Sequence, residues 1–249
     1  QEFMVVPLIG SFSDKLRVGT EIYHALGAVL KKDGKASGVG DEGGFAPNLN
    51  DDREAIEYIL RAIEAAGYSE RNVKLALDVA SSEWYGDDGY FLPKSGEKHT
   101  SKTLTEKLIK LTEDYPIISI EDGLAEDDYA GWKFLTDSNN NKIMLVGDDL
   151  FVTNRERLKS GIEQGIANAI LIKLNQIGTL TETLDVIATA KSAGYTPIIS
   201  HRSGETEDTF IADMSVAVGA DFIKSGAPCR TDRTAKYNRL LKIESELCV

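Results

Sequence analysis

Six short apolar runs each end in one charged or ionisable residue. They read Lys-Leu-Ala-Leu-Asp78, Ile-Ile-Ser-Ile-Glu121, Met-Leu-Val-Gly-Asp148, Ala-Ile-Leu-Ile-Lys173, Pro-Ile-Ile-Ser-His201 and Asp-Phe-Ile-Lys224. A strand buried on both faces reads as a continuous apolar run and tolerates a charge only where it emerges from the core. The segments between the runs have room for a helix and two loops, so the pattern predicts parallel βαβ units whose charged ends meet at one rim.

The intervening segments carry helical spacing. Leu16, Val18, Ile22, Leu26 and Leu30 recur on one face of 11–32, with Ser11 or Ser13 as N-cap. Asp51 introduces a second amphipathic helix, through Ala66 and closed by Gly67. Further helices are predicted over 104–114, around 129–135, from the Thr153-Asn154 cap to Gly165, from Thr179 or Thr181 to Gly194, over 207–218 and, after Asp232, over 234–247. The stretch 3–9 reads as a strand and 85–98 as a polar loop; 38–47 is dense in glycine, which points to unusual backbone angles or close approach by a ligand. Six clean units follow residue 70 behind a less regular opening. Eight such units close a TIM-type (β/α)8 barrel, with its active site at the C-terminal strand ends. That α/β class is the expected fold, with 1–249 as one domain because no low-complexity linker interrupts it.

Composition narrows the partners. A formal net charge of −12, with no basic stripe, argues against nucleic acid and anionic membranes. No apolar run approaches the ~20 residues that span a bilayer, and no signal peptide opens the chain. Cys229 and Cys248 make no metal-like spacing, so reduced thiols in a soluble, cytoplasmic protein are expected. The chain starts Gln1-Glu2-Phe3 without an initiator methionine and runs at once into apolar residues, the expected look of a cut through a longer protein.

Each strand-end group has a functional and a plain reading. Asp78, Glu121 and Asp148 can hold a hard divalent cation such as Mg²⁺ through oxygen, or serve as caps and salt-bridge partners. Lys173 and Lys224 can act as a desolvated base or bind a substrate carboxylate or phosphate, or extend their heads into water. Arg202 offers a planar donor fork and Ser203 a hydroxyl, a combination that suits phosphate; Ser203 or Thr206 can equally cap a helix. His201 is either a site residue or a satisfied core histidine. Glu42, inside the glycine-rich loop, is either a positioned acid or a surface group, and Glu2 carries a weaker version of the same choice.

Several segments together resemble the enolase family. They are Gln1-Glu2-Phe3-Met4, Val39-Gly40-Asp41-Glu42-Gly43-Gly44-Phe45-Ala46-Pro47, Ser119-Ile120-Glu121-Asp122, Gly147-Asp148-Asp149-Leu150, Lys173-Leu174-Asn175-Gln176-Ile177-Gly178, Ser200-His201-Arg202-Ser203-Gly204-Glu205-Thr206-Glu207-Asp208 and Ala235-Lys236-Tyr237-Asn238. They keep family order over essentially the whole chain. The resemblance implies the barrel of that family, with an irregular, partly antiparallel opening, and phosphopyruvate hydratase activity: the glycolytic, Mg²⁺-dependent dehydration of 2-phosphoglycerate to phosphoenolpyruvate. It implies that Asp78, Glu121 and Asp148 hold Mg²⁺ and that Lys173 takes the C2 proton. Glu42 would be the general acid with Glu2 nearby, Arg202 and Ser203 would bind phosphate, Lys224 the carboxylate, and His201 would line the pocket. The family carries an N-terminal α+β domain that supplies a mobile serine loop, a histidine loop and part of a dimer interface. Residues 1–249 alone are therefore expected to be weakly active, and the full-length form to be a homo-oligomer (dimer or octamer). Two alternatives accompany this reading: another enolase-superfamily carboxylate-acid enzyme, and a plasminogen-binding module with a secondary cell-surface location. The Leu247-Cys248-Val249 end lacks the C-terminal lysine such binding commonly uses.

Overall fold

The computed structural model describes residues 1–247; Cys248 and Val249, and with them the expectations about the second thiol and the chain end, lie outside the described residues. In chain order the elements are β1 (Glu2–Pro7), α1 (Phe12–Lys32), α2 (Asp52–Ala65), β2 (Val73–Asp78), β3 (Tyr85–Gly86), β4 (Gly89–Phe91) and β5 (Lys98–His99). Then come α3 (Ser101–Asp114), β6 (Ile117–Glu121), α4 (Tyr129–Asn139), β7 (Met144–Gly147), α5 (Arg155–Gln164) and β8 (Ala169–Ile172). The chain continues through α6 (Leu174–Ile177), α7 (Leu180–Ser192), β9 (Thr196–Ser200), α8 (Phe210–Ala217), β10 (Phe222–Lys224) and α9 (Thr231–Leu247).

The alternation expected from the apolar runs is present, and the fold is α/β with a mostly parallel sheet. The sheet order is β1-β2-β6-β7-β8-β9-β10. The pairs β2–β6, β6–β7, β7–β8 and β8–β9 are parallel, with Asp78 opposite Glu121 in register. Among the described residues this sheet has seven strands, one fewer than the eight of a complete barrel. The segment 85–98 corrects the expected polar loop: β3, β4 and β5 form a small antiparallel sheet there. Its strands of two or three residues are too short to show an alternation. A further unforeseen element is the four-residue α6, directly after Lys173.

Helix starts follow local hydrogen-bond chemistry. Ser11, rather than Ser13, caps α1 in a capping box with Asp14. Asp51 caps α2, Asn154 caps α5, and Thr179, rather than Thr181, caps α7. α8 starts at Phe210 rather than at 207, because Thr206 Oγ1 accepts from Asp208 N and Asp208 Oδ1 from Phe210 N, holding that stretch in turns.

Two compact units emerge from the packing. The first comprises Gln1–Met4, Leu75–Ile199 and Ala220–Phe222; the second Val5–Lys74, Ser200–Gly219 and the chain from Ile223. In the first, α3 packs on α4 and α5 on α7, while Val146, Ala169, Leu171 and Ile198 form a buried cluster joined by Met144 and Phe222. In the second, α1 packs on α2 and α9, and α8 on α9. The buried side chains Val18, Ile22 and Leu30 of α1 and Ile56, Ile59 and Ile63 of α2 belong to its core.

Phe151, 1% exposed, sits where two glycines leave room for it. A Cβ on Gly147 would come within 2.5 Å of its ring, and so would a Cβ on Gly161 of α5. Gly161→Ala should therefore destabilise by about 1–3 kcal/mol through overpacking, although alanine is ~1 kcal/mol better than glycine inside a helix. Gly19→Ala in α1, whose Cβ meets nothing nearer than Pro7 Cγ at 3.9 Å, should stabilise. Denaturant midpoints of the two variants should shift in opposite directions; equal shifts would refute this packing argument.

Candidate active site and metal centre

The first unit carries an acidic group at the strand ends. Asp78 and Glu121 are the last residues of β2 and β6, whereas Asp148 and Lys173 each stand one residue beyond β7 and β8. Asp78 Oδ1 accepts from Ala80 N at 3.1 Å. Asp122, Asp148 and Asp149 offer carboxylate oxygens within 4.8 Å of one another. Of these only Asp148 was expected as a ligand from the sequence. Glu121, Asp122 and Asp148 are all buried.

Asp122 organises this group. Its Oδ1 accepts from Asp148 N at 3.0 Å and its Oδ2 from Asp149 N at 2.8 Å. It adopts φ 43°, a left-handed angle that a non-glycine residue rarely takes. Burial, followed by the negative charges of Asp148 and Asp149, pushes its carboxyl well above the usual carboxylate range despite those two N–H donors. Burial and Asp148 likewise push Asp149 up, while Lys173 pulls it down. A cluster of like charges out of water is unfavourable without a counter-charge.

Part of that counter-charge is Lys173. Its Nζ pairs with Asp148 Oδ2, and its backbone N–H donates to Thr153 Oγ1 at 2.8 Å. Thr153 is fully buried and donates in turn to Gln176 Oε1 at 2.9 Å. Val152 and Thr153 are consecutive β-branched residues at φ 42° and 53°; such strain persists where the surroundings impose it, and it concentrates at functional sites. Thr153 is thus a support for Lys173 rather than the helix cap expected with Asn154.

The other oxygen of Asp148, Oδ1, is buried with no hydrogen-bond partner. An orphaned carboxylate oxygen beside two further carboxylates is a donor set that suits a hard divalent cation, so the residues present fit a metal ion.

The second unit carries the remaining expected residues apart from Glu2, which opens β1 in the first. The glycine-rich segment is a tight turn: Val39 bridges Phe45, Gly40 N donates to Gly44 O and Gly43 N to Gly40 O. Gly43 has φ 82°, and a Cβ there would lie 2.7 Å from Cys229 O; Gly226, at φ 81°, leaves the same 2.7 Å clearance to Glu42 O. Ala227 N donates to Glu42 O at 2.9 Å. The backbone of Glu42 is thereby fixed on both sides by positions that only glycine fills. Its side chain accepts from Ser203 Oγ at 3.0 Å through Oε1 and lies 3.2 Å from His201 Nε2 through Oε2.

His201 is 2% exposed, just beyond β9, and its backbone N–H donates to Lys224 O. Burial pushes the ring's pKa below its usual value; Glu42 opposes this, and Arg233 and Lys224 reinforce it. Arg202 N donates to Glu205 Oε1 at 3.2 Å. Two fully buried cations of α9 hold the 201–206 stretch from below. Arg233 donates to Arg202 O, Ser203 O and Asp41 O, while Lys236 binds Glu205 Oε2 at 2.8 Å, Asp232 O and Thr206 O. Burial pushes Glu205 up, but Lys236 and the Thr206 and Arg202 amides together hold its carboxyl below the usual range. Arg233 was not singled out from the sequence, and Lys236 entered it only within a motif. A signal was there: charges at i and i+3 on one helix are neighbours on one face.

The mostly parallel α/β sheet carries carboxylates and a lysine at its strand ends, and Asp122, Asp148 and Asp149 there could hold a metal ion. The family model described as Enolase, C-terminal TIM barrel domain, matches residues 1–249. The chain belongs to the enolase C-terminal domain family.

Two outcomes are expected. Asp148→Asn should abolish divalent-ion binding in calorimetric titration, whereas Asp122→Asn, which loosens the loop that aims Asp148, should weaken it about 10–100-fold. For His201, the unfolded ring protonates near ~6.5 and the folded ring only at lower pH. Within that window the unfolded chain binds the extra proton, so stability falls as pH drops below ~6.5 and is retained above it. His201→Gln should flatten that limb in denaturation curves taken between pH ~7 and ~5.

Proposed function

We propose that the chain is a phosphopyruvate hydratase, converting 2-phosphoglycerate to phosphoenolpyruvate and water with Mg²⁺. The observation that carries the reading is the Lys173–Asp148 pair: an amine held beside a buried carboxylate whose other oxygen has no partner. Asp148 would hold the ion with Asp78 and Glu121, as the resemblance implies, or with Asp122 and Asp149, whose carboxylate oxygens lie within 4.8 Å of its own and of each other. The bound ion would supply positive charge against the second negative charge that develops when a proton leaves the carbon next to a carboxylate.

The chain's own groups divide the remaining work. Lys173 takes the C2 proton, and Thr153 fixes its backbone while it does so. Glu42 delivers a proton to the C3 hydroxyl, which departs as water as the C2–C3 double bond forms. Arg202 and Ser203 take the phosphate and Lys224 the substrate carboxylate. Ser203 Oγ is hydrogen-bonded to Glu42 here, so phosphate and Glu42 would draw on the same hydroxyl.

The test follows phosphoenolpyruvate formation and, in D₂O, exchange of the C2 proton. Lys173→Ala should lower both by roughly 10²–10⁴-fold. Glu42→Gln should lower product formation and leave exchange. Exchange without any dehydration in the unaltered chain, or Lys173→Ala as active as the parent, would rule the reading out.

A further inference from the structure

Arg233 is fully buried, and its guanidinium is bound on nearly every side. Nη1 donates to Arg202 O at 2.8 Å; Nη2 donates to Ser203 O at 2.7 Å and to Asp41 O at 3.1 Å; Nε lies 3.1 Å from Asp232 Oδ2. The second proton of Nη1 points at His201 Nδ1, 2.5 Å away. A guanidinium has five N–H donors, no acceptor, and does not lose its proton in proteins. His201 Nδ1 must therefore accept. That leaves the ring's proton on Nε2, the nitrogen 3.2 Å from Glu42 Oε2.

We propose that Arg233 is a positioning residue that fixes His201 as the neutral Nε2–H tautomer and so presents an N–H to Glu42. Glu42 then accepts from the Ser203 hydroxyl at Oε1, and the imidazole N–H stands 3.2 Å from Oε2, close enough to face it though not aligned as a hydrogen bond. In the opposite tautomer the Nε2 lone pair would face a carboxylate lone pair, and in the doubly protonated ring an Nδ1–H would face the guanidinium. Both arrangements are repulsive. Glu42, Arg233 and Lys224 are the charged groups that act on this ring, and burial acts in the same direction as the two cations. The same guanidinium ties the Asp41 carbonyl beside Glu42 to the 202–203 carbonyls, so tautomer and loop placement share one source. The inference deepens the proposed role of Glu42 as acid, but the tautomer itself is set by Arg233 whatever the substrate.

The full chain has three histidines, so two-bond ¹H–¹⁵N correlation spectra of ¹⁵N-histidine-labelled protein resolve each ring. His201 should remain a single neutral Nε2–H ring from pH ~7.5 down past ~6.5, where an ordinary imidazole titrates. Arg233→Met should give mixed tautomers and move the protonation midpoint upward towards ~6.5. Arg233→Lys, which keeps the charge but not the planar fork, should also lose the single tautomer. Glu42→Gln should retain Nε2–H, because Nδ1 is still occupied. An Nδ1–H ring in the unaltered chain, a tautomer flip in Glu42→Gln, or an unchanged Nε2–H ring in folded Arg233→Met would each overturn the proposal. Should Arg233→Met fail to fold, the unaltered and Glu42→Gln spectra still decide it. These spectra require no turnover, so failure of the enzymatic reading, seen in the Lys173→Ala assay, is distinguishable from failure of the tautomer assignment.

Discussion

A charge taken out of water needs a partner within a few ångströms, and both halves of the chemistry are built around that requirement. At the ends of β6 and β7 the strands deliver Glu121, Asp122, Asp148 and Asp149 into a region where Asp122 and Asp148 keep under a tenth of their surface exposed. Backbone amides satisfy Asp122, Lys173 satisfies one oxygen of Asp148, and one oxygen is left over. In the other unit the signs are reversed. Arg233 and Lys236 are the buried charges, and backbone carbonyls with one imidazole and the carboxylates of Asp232 and Glu205 surround them. Truncating either partner of such a buried pair leaves the other charge uncompensated.

The strand-end rule was legible because a lone charge after four apolar residues is tolerable only where the strand leaves the core. It located Asp78, Glu121, Asp148, Lys173, His201 and Lys224 to within one residue of their strand ends. It missed Asp122, Asp149 and Arg233, each of which stands next to another charged residue and so reads as part of a solvated polar run. Their importance comes from what lies across space: Asp122 meets amides 26 and 27 positions away, and Arg233 meets a ring 32 positions away. The glycine-dense turn was legible as unusual backbone, whereas what it holds was not. Only the approach of the 226–229 backbone shows that Gly43 and Gly226 clamp Glu42.

The short antiparallel sheet at 85–99 escaped for a different reason. β3 and β5 have two residues each, and such strands are specified by their partners rather than by their own alternation. Tyr90 of β4 shows what anchors it: the hydroxyl donates to Asp128 Oδ2 and accepts from Ala125 N. The same Asp128 caps α4. A helix start and a sheet are thus tied to one carboxylate, which no window of sequence reveals.

The left-handed pair Val152–Thr153 has a consequence for how this chain can change. Backbone strain at two adjacent β-branched residues is the sort of site where glycine or asparagine would relax the fold. At Thr153 that relief would remove the hydroxyl that receives the Lys173 amide and reaches Gln176. Relief of backbone strain and the hold on Lys173 therefore pull the same codon in opposite directions. A search for more robust variants would be drawn to this turn, and it would lose the aim of the lysine there before it lost the fold.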